Sequence, residues 1–234
     1  RLELPLFRRH DFCQAKYFTC ACARCVREAS APMAPFTALR CQSCGAASVS
    51  PEPSHGPRNG ESSRCLQCGG PGDDGVSVDR AAFAAYEAAG SEAAVRAALE
   101  RFGPRLPEFH YIRALLRGRF VEALLESLPP LSAFLCLDAP SRRAALGPYL
   151  RVSPASRAGA GKEARSACEA VLAVARKEWP AACVQRVAAL HFRAVQAALL
   201  MGDMPGAEKA MREARASASL AYGSDAACVL VWNP

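Results

Sequence analysis

The residues best suited to chemistry are cysteines near the start of the chain. Three of them, Cys20, Cys22 and Cys25, follow the rings of Tyr17 and Phe18 in a C-x-C-x-x-C pattern. Thiolates at this spacing favour a soft cation such as zinc, which can hold a short loop that has no core of its own. The pattern therefore predicts a zinc site that includes these three sulfurs.

This first group lacks a fourth ligand, whereas structural zinc prefers four. Within the chain, His10 and Cys13 are the nearest candidates. An open fourth position is typical of catalytic zinc, but no carboxylate and histidine set lies nearby to use it. The residues alone leave the fourth ligand open.

The second group is a pair of C-x-x-C motifs with twenty residues between them: Cys41 and Cys44, then Cys65 and Cys68. Gly45 and Gly69 follow the two motifs, where the backbone must turn. Four thiolates at this spacing are typical of a closed, tetrahedral structural zinc. The alternative is four thiols without a metal, unligated or oxidised, in a loop.

The composition indicates a globular protein without a membrane segment. Of the 234 residues, 51% are hydrophobic, and no apolar run is long enough to span a bilayer. Eight of the twelve cysteines lie in the first 68 residues, in close pairs that favour metal ligands in a reducing compartment. We therefore expect an intracellular protein. The net charge of +7 is spread along the chain, so direct nucleic-acid binding is not expected.

Composition changes divide the chain into three predicted parts. Residues 1–28 contain the first cysteine group, 29–76 form a second zinc module with a flexible insertion at 46–63, and 77–234 are helical. Caps, among them Ser91 for the second helix, and apolar periodicity predict helices near 77–89, 91–102, 108–117, 119–128, 131–137, 140–150, 162–178, 180–201 and 204–222. A second flexible joint is expected at 152–161, where Ser, Pro and Gly are frequent.

The last two predicted helices form the clearest pattern. They are joined at Gly202-Asp203, where Asp203 can cap the second helix. The inner stripes combine Val184, Val187, Leu190, Ala194 and Ala198 with Ala207, Ala210, Met211 and Ala214. Small residues at these steps resemble a tetratricopeptide hairpin, although no strict 34-residue period is present. The fold class is thus mainly α, either a tetratricopeptide-like array or an irregular helical bundle.

The cysteines outside the two groups, and the histidine of the apolar helix, are interpreted as core residues. Cys136, Cys168, Cys183 and Cys228 lie in apolar helical contexts, and His191 lies on an apolar helix. No catalytic set of Ser, His and Asp, and no pair of carboxylates, can be assembled from the sequence.

The first cysteine group and the residues before it also resemble a segment of a known protein family. The segment from Arg8-Arg9 through Tyr17-Phe18 to Cys20, Cys22 and Cys25 resembles a post-SET loop, and more narrowly that of the SET and MYND domain (SMYD) protein lysine methyltransferases. The downstream C-x-x-C motifs and the helical second half agree with that family. The resemblance covers nearly the whole chain, and its cysteine part is the specific one.

The resemblance implies a role for this segment within a larger active site. The fourth cysteine of the first zinc would come from a SET core that precedes the chain. Phe18 would pack on the adenine of S-adenosylmethionine, whereas the position of the usual lysine-channel tyrosine holds Lys16. Because the donor-binding and catalytic SET motifs and the MYND finger are absent, the chain alone is not expected to methylate.

Two functions follow as expectations. The first is the C-terminal portion of a SMYD-like, S-adenosylmethionine-dependent methyltransferase that acts on lysines of proteins such as histones. The second is a non-catalytic, zinc-binding, tetratricopeptide-like adaptor that binds a peptide or protein partner.

Overall fold

The computed structural model describes residues 36–49, 64–71, 75–126, 153–178 and 184–222. Of these, 74% lie in six helices, which confirms the expectation of a mainly helical protein. The tetratricopeptide-like arrangement stays a prediction. The chain divides into two compact units, Arg1–Leu116 and Arg117–Pro234. Among the described residues, no helix combines the length and apolar character needed to cross a bilayer.

Several sequence predictions fall outside the described residues. They are the helices near 131–137 and 140–150, the insertion at 46–63 beyond Val49, the core positions of Cys136, Cys183 and Cys228, and the whole segment that contains Phe18, Cys20, Cys22 and Cys25.

The first unit begins with a two-stranded antiparallel sheet. Strand β1 is Leu39–Arg40 and strand β2 is Ala47–Val49, with Leu39 opposite Val49 and Arg40 opposite Ala47. Leu39 and Val49 are completely buried, so this short hairpin has an apolar side in the core. The first C-x-x-C motif occupies the turn between the two strands.

Helices α1, Gly75–Ala88, and α2, Glu92–Phe102, follow in the same unit. The predicted cap of α2 is confirmed, because the Ser91 hydroxyl accepts the N–H of Ala94 at 3.3 Å. Helix α3 runs continuously over Tyr111–Glu126, and the division between the units falls within it. The predicted interruption between 117 and 119 is therefore wrong, since Gly118 costs a helix only about 1 kcal/mol and does not break it.

The core of the first unit gathers at the start of α3. Tyr111 and Ile112 are almost fully buried, and the ring of Tyr111 lies 5.9 Å from that of Phe36. The Tyr111 hydroxyl donates to Oδ1 of the buried Asp79 at 2.7 Å. Because Asp79 lies in α1 and Phe36 precedes β1, one tyrosine links both of these segments to α3.

The second unit contains helices α4, Pro154–Glu178, α5, Val184–Met201, and α6, Met204–Tyr222. The expected joint at 152–161 is wrong for residues 154–161, which are helical. The Ser153 hydroxyl accepts the N–H of Ser156 at 3.2 Å, and Pro154 occupies the first helical position, where its missing N–H costs nothing. Capping thus outweighs the low helix propensity of the glycines.

Helices α4 and α5 run antiparallel. The buried Val171 and Leu172 of α4 pack on Leu190, near the start of α5. In the first turns of α4, Gly161 faces Ala197 near the end of α5. A Cβ atom at Gly161 would lie 2.8 Å from the Ala197 carbonyl oxygen, so the absence of a side chain lets the two backbones approach closely.

Helices α5 and α6 form the predicted hairpin. Gly202, with φ of 73°, makes the turn, and Oδ1 of Asp203 accepts the N–H of Gly206 at 2.9 Å as the expected cap. Ala198 of α5 and Ala207 of α6 are buried in one cluster with Val195. Of the other predicted inner residues, Leu190 and Ala214 are buried, whereas Val184, Val187, Ala194, Ala210 and Met211 are partly buried.

Candidate metal centre

The structure brings the four sulfurs of the second cysteine group together. The Sγ atoms of Cys41, Cys44, Cys65 and Cys68 all lie within 4.8 Å of one another. Cys41 and Cys68 are separated by 3.8 Å, and Cys44 and Cys65 by 3.7 Å. A zinc ion with four sulfurs at 2.3 Å sits in a tetrahedron whose edges are about 3.8 Å. A disulfide would need about 2.05 Å, so the spacing fits a shared metal and not an S–S bond.

The two C-x-x-C motifs adopt the same backbone turn. In the first, the N–H of Gly45 donates to the Cys41 carbonyl at 2.9 Å; in the second, the N–H of Gly69 donates to the Cys65 carbonyl at 2.9 Å. Gly45 and Gly69 have φ of 74° and 68°, a left-handed conformation that costs other residues roughly 1 kcal/mol or more. The glycines predicted to follow each motif are therefore required by its turn.

Backbone N–H groups point at the sulfurs. The N–H of Cys44 lowers the pKa of Cys41 most, with a further contribution from the N–H of Ser43. The N–H of Cys68 lies 3.5 Å from Sγ of Cys65. These N–H groups stabilise thiolates, which are the form that binds a metal.

Four thiolates cannot coexist at this spacing without a cation. The pKa of Cys44 is lowered by the N–H of Ala46, but partial desolvation of its sulfur by neighbouring protein atoms and the three neighbouring thiols outweigh that effect and raise it to about 12. The N–H of Gly70 and the Cys44 thiol lower the pKa of Cys68, but the Cys65 and Cys41 thiols and partial desolvation outweigh them and raise it. A divalent metal would compensate the negative charge of the thiolates and so lower the pKa values of these thiols.

Unequal exposure distinguishes the two members of each motif. Cys41 and Cys65, the first members, are each 2% exposed, whereas Cys44 and Cys68 are exposed. The buried pair faces the core of the first unit, and the exposed pair closes the site on the solvent side. A metal held here would have all four positions filled by protein sulfur.

The strand that leads into the centre is held by the loop before α3. The N–H of Arg40 donates to the Arg105 carbonyl at 2.8 Å, and Nε of Arg105 donates back to the Arg40 carbonyl at 3.1 Å. The N–H of Tyr111 donates to the Phe36 carbonyl at 3.0 Å. His110 adds a bond to the Thr37 carbonyl at 3.1 Å. These contacts position Cys41, next to Arg40, relative to the helices.

No pattern in the sequence indicates that His110 or Arg105 supports the centre. They lie 73 and 65 residues away from the backbone groups they bind, and no local spacing connects them. The position of His110 immediately before a helix is compatible with capping and would not by itself reveal a buried bond to a strand.

The residues interpreted as core residues behave as expected where the structure describes them. Cys168 is fully buried, and burial raises the pKa of its thiol to about 12. His191 is buried with Nδ1 3.2 Å from Oε2 of Glu213, and burial lowers its pKa although Glu213 acts in the opposite direction. The contact at His191 is close enough for an ion pair if the ring is protonated, but it lacks hydrogen-bond geometry.

Taken together, Cys41, Cys44, Cys65 and Cys68 can hold a metal ion, and their geometry and soft sulfur donors are compatible with zinc. The first cysteine group and Phe18 lie outside the described residues, so their predicted roles stay predictions. Comparison with family models and with curated proteins finds no match to the chain.

Proposed function

We propose that this chain is the post-SET and C-terminal helical portion of a SMYD-like, S-adenosylmethionine-dependent protein lysine methyltransferase, with a structural zinc ion at Cys41, Cys44, Cys65 and Cys68. The observation that carries the proposal is the closed four-sulfur centre directly downstream of the C-x-C-x-x-C motif. The order of post-SET-like motif, extra cysteine pairs and helices is the one that the resemblance implies.

The centre has a structural role in this proposal. All four positions are occupied by cysteine sulfur, and no place is left for water or substrate. Zinc supplies a cross-link between two chain segments with twenty residues between them, and the chain's N–H groups hold the thiolates ready for it. Methyl transfer would occur elsewhere, at the site that the Phe18 segment helps to close.

The helices have a separate proposed role. The antiparallel helices α4, α5 and α6 provide a rigid surface, and in the proposal this surface contributes to binding of the protein substrate or of a peptide partner. The resemblance to a tetratricopeptide hairpin at Gly202-Asp203 supports this role.

The test uses the protein expressed from its complete gene, with zinc bound. Transfer of labelled methyl groups from S-adenosylmethionine to histones or to other lysine-containing proteins is the expected activity. Substituting Phe18→Ala should weaken S-adenosylmethionine binding at least about tenfold, because it removes the ring proposed to stack on adenine. Leu66→Ala, an exposed side chain between two zinc ligands, is the matched control and should leave that affinity unchanged.

Zinc-loaded protein that neither binds S-adenosylmethionine nor transfers methyl groups would overturn the methyltransferase proposal. Capture of a defined peptide by helices α4 to α6 under those conditions would then favour the adaptor function. Metal analysis of the same preparation tests the zinc centre independently: the proposal requires at least one zinc ion per chain, and two if the first cysteine group finds its fourth ligand.

A further inference from the structure

The two members of each C-x-x-C motif differ in their access to solvent. Cys44 and Cys68 are exposed, whereas Cys41 and Cys65 are each only 2% exposed. A small solute approaching from solvent therefore meets the second cysteine of each motif first. Susceptibility of cysteine to oxidation follows thiolate character and exposure, and a bound zinc ion would make all four sulfurs thiolates. Exposure therefore decides, and the second cysteine of each motif is the one at risk.

The sulfur of each exposed cysteine lies beside the sulfur of a buried cysteine from the other motif. The Cys44 and Cys65 sulfurs are 3.7 Å apart, and the Cys68 and Cys41 sulfurs are 3.8 Å apart. A sulfur oxidised at the surface thus has a thiolate within reach that is itself protected from the oxidant. Chemically, an exposed attacking sulfur and a sheltered resolving sulfur make up a peroxide-reactive dithiol.

Protection by the surrounding chain is also unequal. The buried Cys41 receives two N–H groups, from Cys44 and Ser43, whereas the exposed Cys44 and Cys68 receive one each, from Ala46 and Gly70. Such bonds reduce the nucleophilicity of the sulfur that accepts them. Next to the exposed Cys68 stands Gly70, where a Cβ atom would lie 3.2 Å from the Cys68 sulfur. The absence of a side chain at Gly70 leaves that side of the sulfur uncovered.

We propose that the four-cysteine centre is a peroxide-sensitive switch, in which the exposed Cys44 and Cys68 are oxidised first and form disulfides with Cys65 and Cys41 of the opposite motif, releasing the metal. The inference rests on the proposed zinc occupancy of this centre. It concerns the regulation of the site and does not depend on which reaction the whole protein catalyses.

The chemistry balances with one peroxide molecule for each disulfide. The Cys44 thiolate attacks the peroxide, an S–O bond forms, the O–O bond breaks and hydroxide leaves. The Cys65 thiolate then attacks the oxidised sulfur, an S–S bond forms, the S–O bond breaks and a second hydroxide leaves. The two sulfurs lose two electrons, the peroxide gains two, and two protons from solvent convert the hydroxides into water. The two thiolates that remain are too few to hold zinc in a closed site.

Loss of the metal would be transmitted along β1. Cys41 follows Arg40, whose backbone exchanges two hydrogen bonds with Arg105. Opening of the first motif therefore loosens the contact between β1 and the loop before α3. In the reduced, metal-bound state the same contacts are held in place.

The test treats the zinc-loaded full chain with hydrogen peroxide and follows zinc release with a chromogenic indicator and disulfides by mass spectrometry. Trypsin cuts after Arg40, Arg58, Arg64 and Arg80, which places one motif in fragment 41–58 and the other in fragment 65–80. Disulfides between the motifs join these two fragments, whereas disulfides within each motif leave them separate. Joined fragments that appear together with zinc release are expected.

The variants replace an exposed sulfur with another zinc ligand. Cys44→His and Cys68→His should keep zinc and slow its peroxide-driven release about tenfold, since the accessible sulfur is gone. Gly70→Ala, which keeps all four cysteines and covers the Cys68 sulfur, should slow release in the same direction. Cys168→Ser, at a fully buried thiol, is the control and should leave the rate unchanged.

Two outcomes would overturn the inference: zinc retained under peroxide, or disulfides confined within fragments 41–58 and 65–80. Histidine variants that release zinc as fast as the original chain would also contradict it. A chain that carries no zinc before peroxide is added contradicts the proposed zinc centre instead, so the two failures are distinguishable.

Discussion

The Nε2 atom of His110 lies 3.1 Å from the carbonyl oxygen of Thr37, 73 residues earlier in the chain. On the other side of the ring, Nδ1 accepts the N–H of Ile112 at 3.2 Å, so the proton belongs on Nε2, which donates to Thr37. The ring is completely buried, and burial lowers its pKa to about 3. An uncharged histidine thus joins the segment that enters the metal centre to the start of α3.

Substituting His110→Ala should lower the free energy of unfolding of the first unit by about 3 kcal/mol, because it opens a cavity and removes the acceptor of the buried Ile112 N–H. Urea denaturation of the zinc-loaded chain measures the effect. The control is Arg96→Ala, which removes an exposed ion pair with Glu92 within α2 and should change stability by less than about 0.5 kcal/mol. Equal effects of the two substitutions would contradict the role of His110.

The pKa of His110 also predicts a dependence on acidity. Because the native ring stays neutral to about pH 3 while the unfolded ring titrates near 6.5, the unfolded state binds more protons between these values. The contribution of His110 is therefore complete above pH 6.5 and is lost as the pH falls, at up to about 1.4 kcal/mol per pH unit.

Nitrogen NMR of the histidine rings measures this directly. At pH 5 the His110 ring should remain neutral, with its proton on Nε2 and its bond to Thr37 intact. A His110 signal that titrates near pH 6.5 in the folded protein would show that the ring is not held in the buried, uncharged state.

Close packing of α4 on α5 predicts opposite effects at two glycines of one helix. A Cβ atom at Gly161 would lie 2.8 Å from both the Ala197 carbonyl oxygen and Cβ of Leu200, so Gly161→Ala should cost about 1 to 3 kcal/mol. At Gly159 nothing lies within 4 Å, so Gly159→Ala should instead stabilise by about 0.5 to 1 kcal/mol through helix propensity. Thermal denaturation of the two variants compares them, and destabilisation by both would contradict the close approach.

The carboxylate of Asp203 serves two partners in the second unit. Its Oδ1 caps α6 through the N–H of Gly206, and its Oδ2 pairs with Arg165 of α4. Asp203→Asn keeps a capping oxygen and loses the charge, whereas Asp203→Ala loses both, so we expect the denaturation midpoint to fall further for Ala than for Asn.

Acid should remove the stabilisation that the ionised Asp203 carboxylate provides. The N–H of Gly206 and the guanidinium of Arg165 lower the pKa of Asp203 below its ordinary 3.8. The stabilisation is therefore present above about pH 4 and is lost as the pH falls through the lowered value. Asp203→Asn should remove most of this acid dependence, and an unchanged pH profile in that variant would contradict the contact.

Removal of metal should affect the two units unequally. Chelation of zinc should speed amide hydrogen exchange at Arg40, Cys41, Gly45, Cys65 and Gly69, whose N–H groups bond within the motifs or to the loop that supports them. Exchange in helices α4 to α6 should be unchanged, because their caps and packing do not involve these cysteines. Equal acceleration in both units would contradict a centre that stabilises the first unit alone.

Local sequence rules accounted for much of the architecture. Ser91 and Asp203 mark helix starts by short-range capping, and Gly202 marks a turn that needs positive φ, so those boundaries could be predicted. The same rules failed around Gly118 and at 154–161, where glycine and proline favoured a break. Continuous hydrogen bonding, the Ser153 cap and the contact of Gly161 with α5 outweighed propensity there.

The sequence by itself determined the candidate ligands, because the two C-x-x-C motifs and their glycines encode a turn that needs no distant contact. Only the tertiary structure decided that all four sulfurs meet within 4.8 Å, and that Cys44 and Cys68 face solvent while Cys41 and Cys65 do not. It also decided that His110 and Arg105 fix the strand entering the centre. Burial and contacts between residues 65 or more positions apart arise from packing of the whole unit, and no local spacing carries that information.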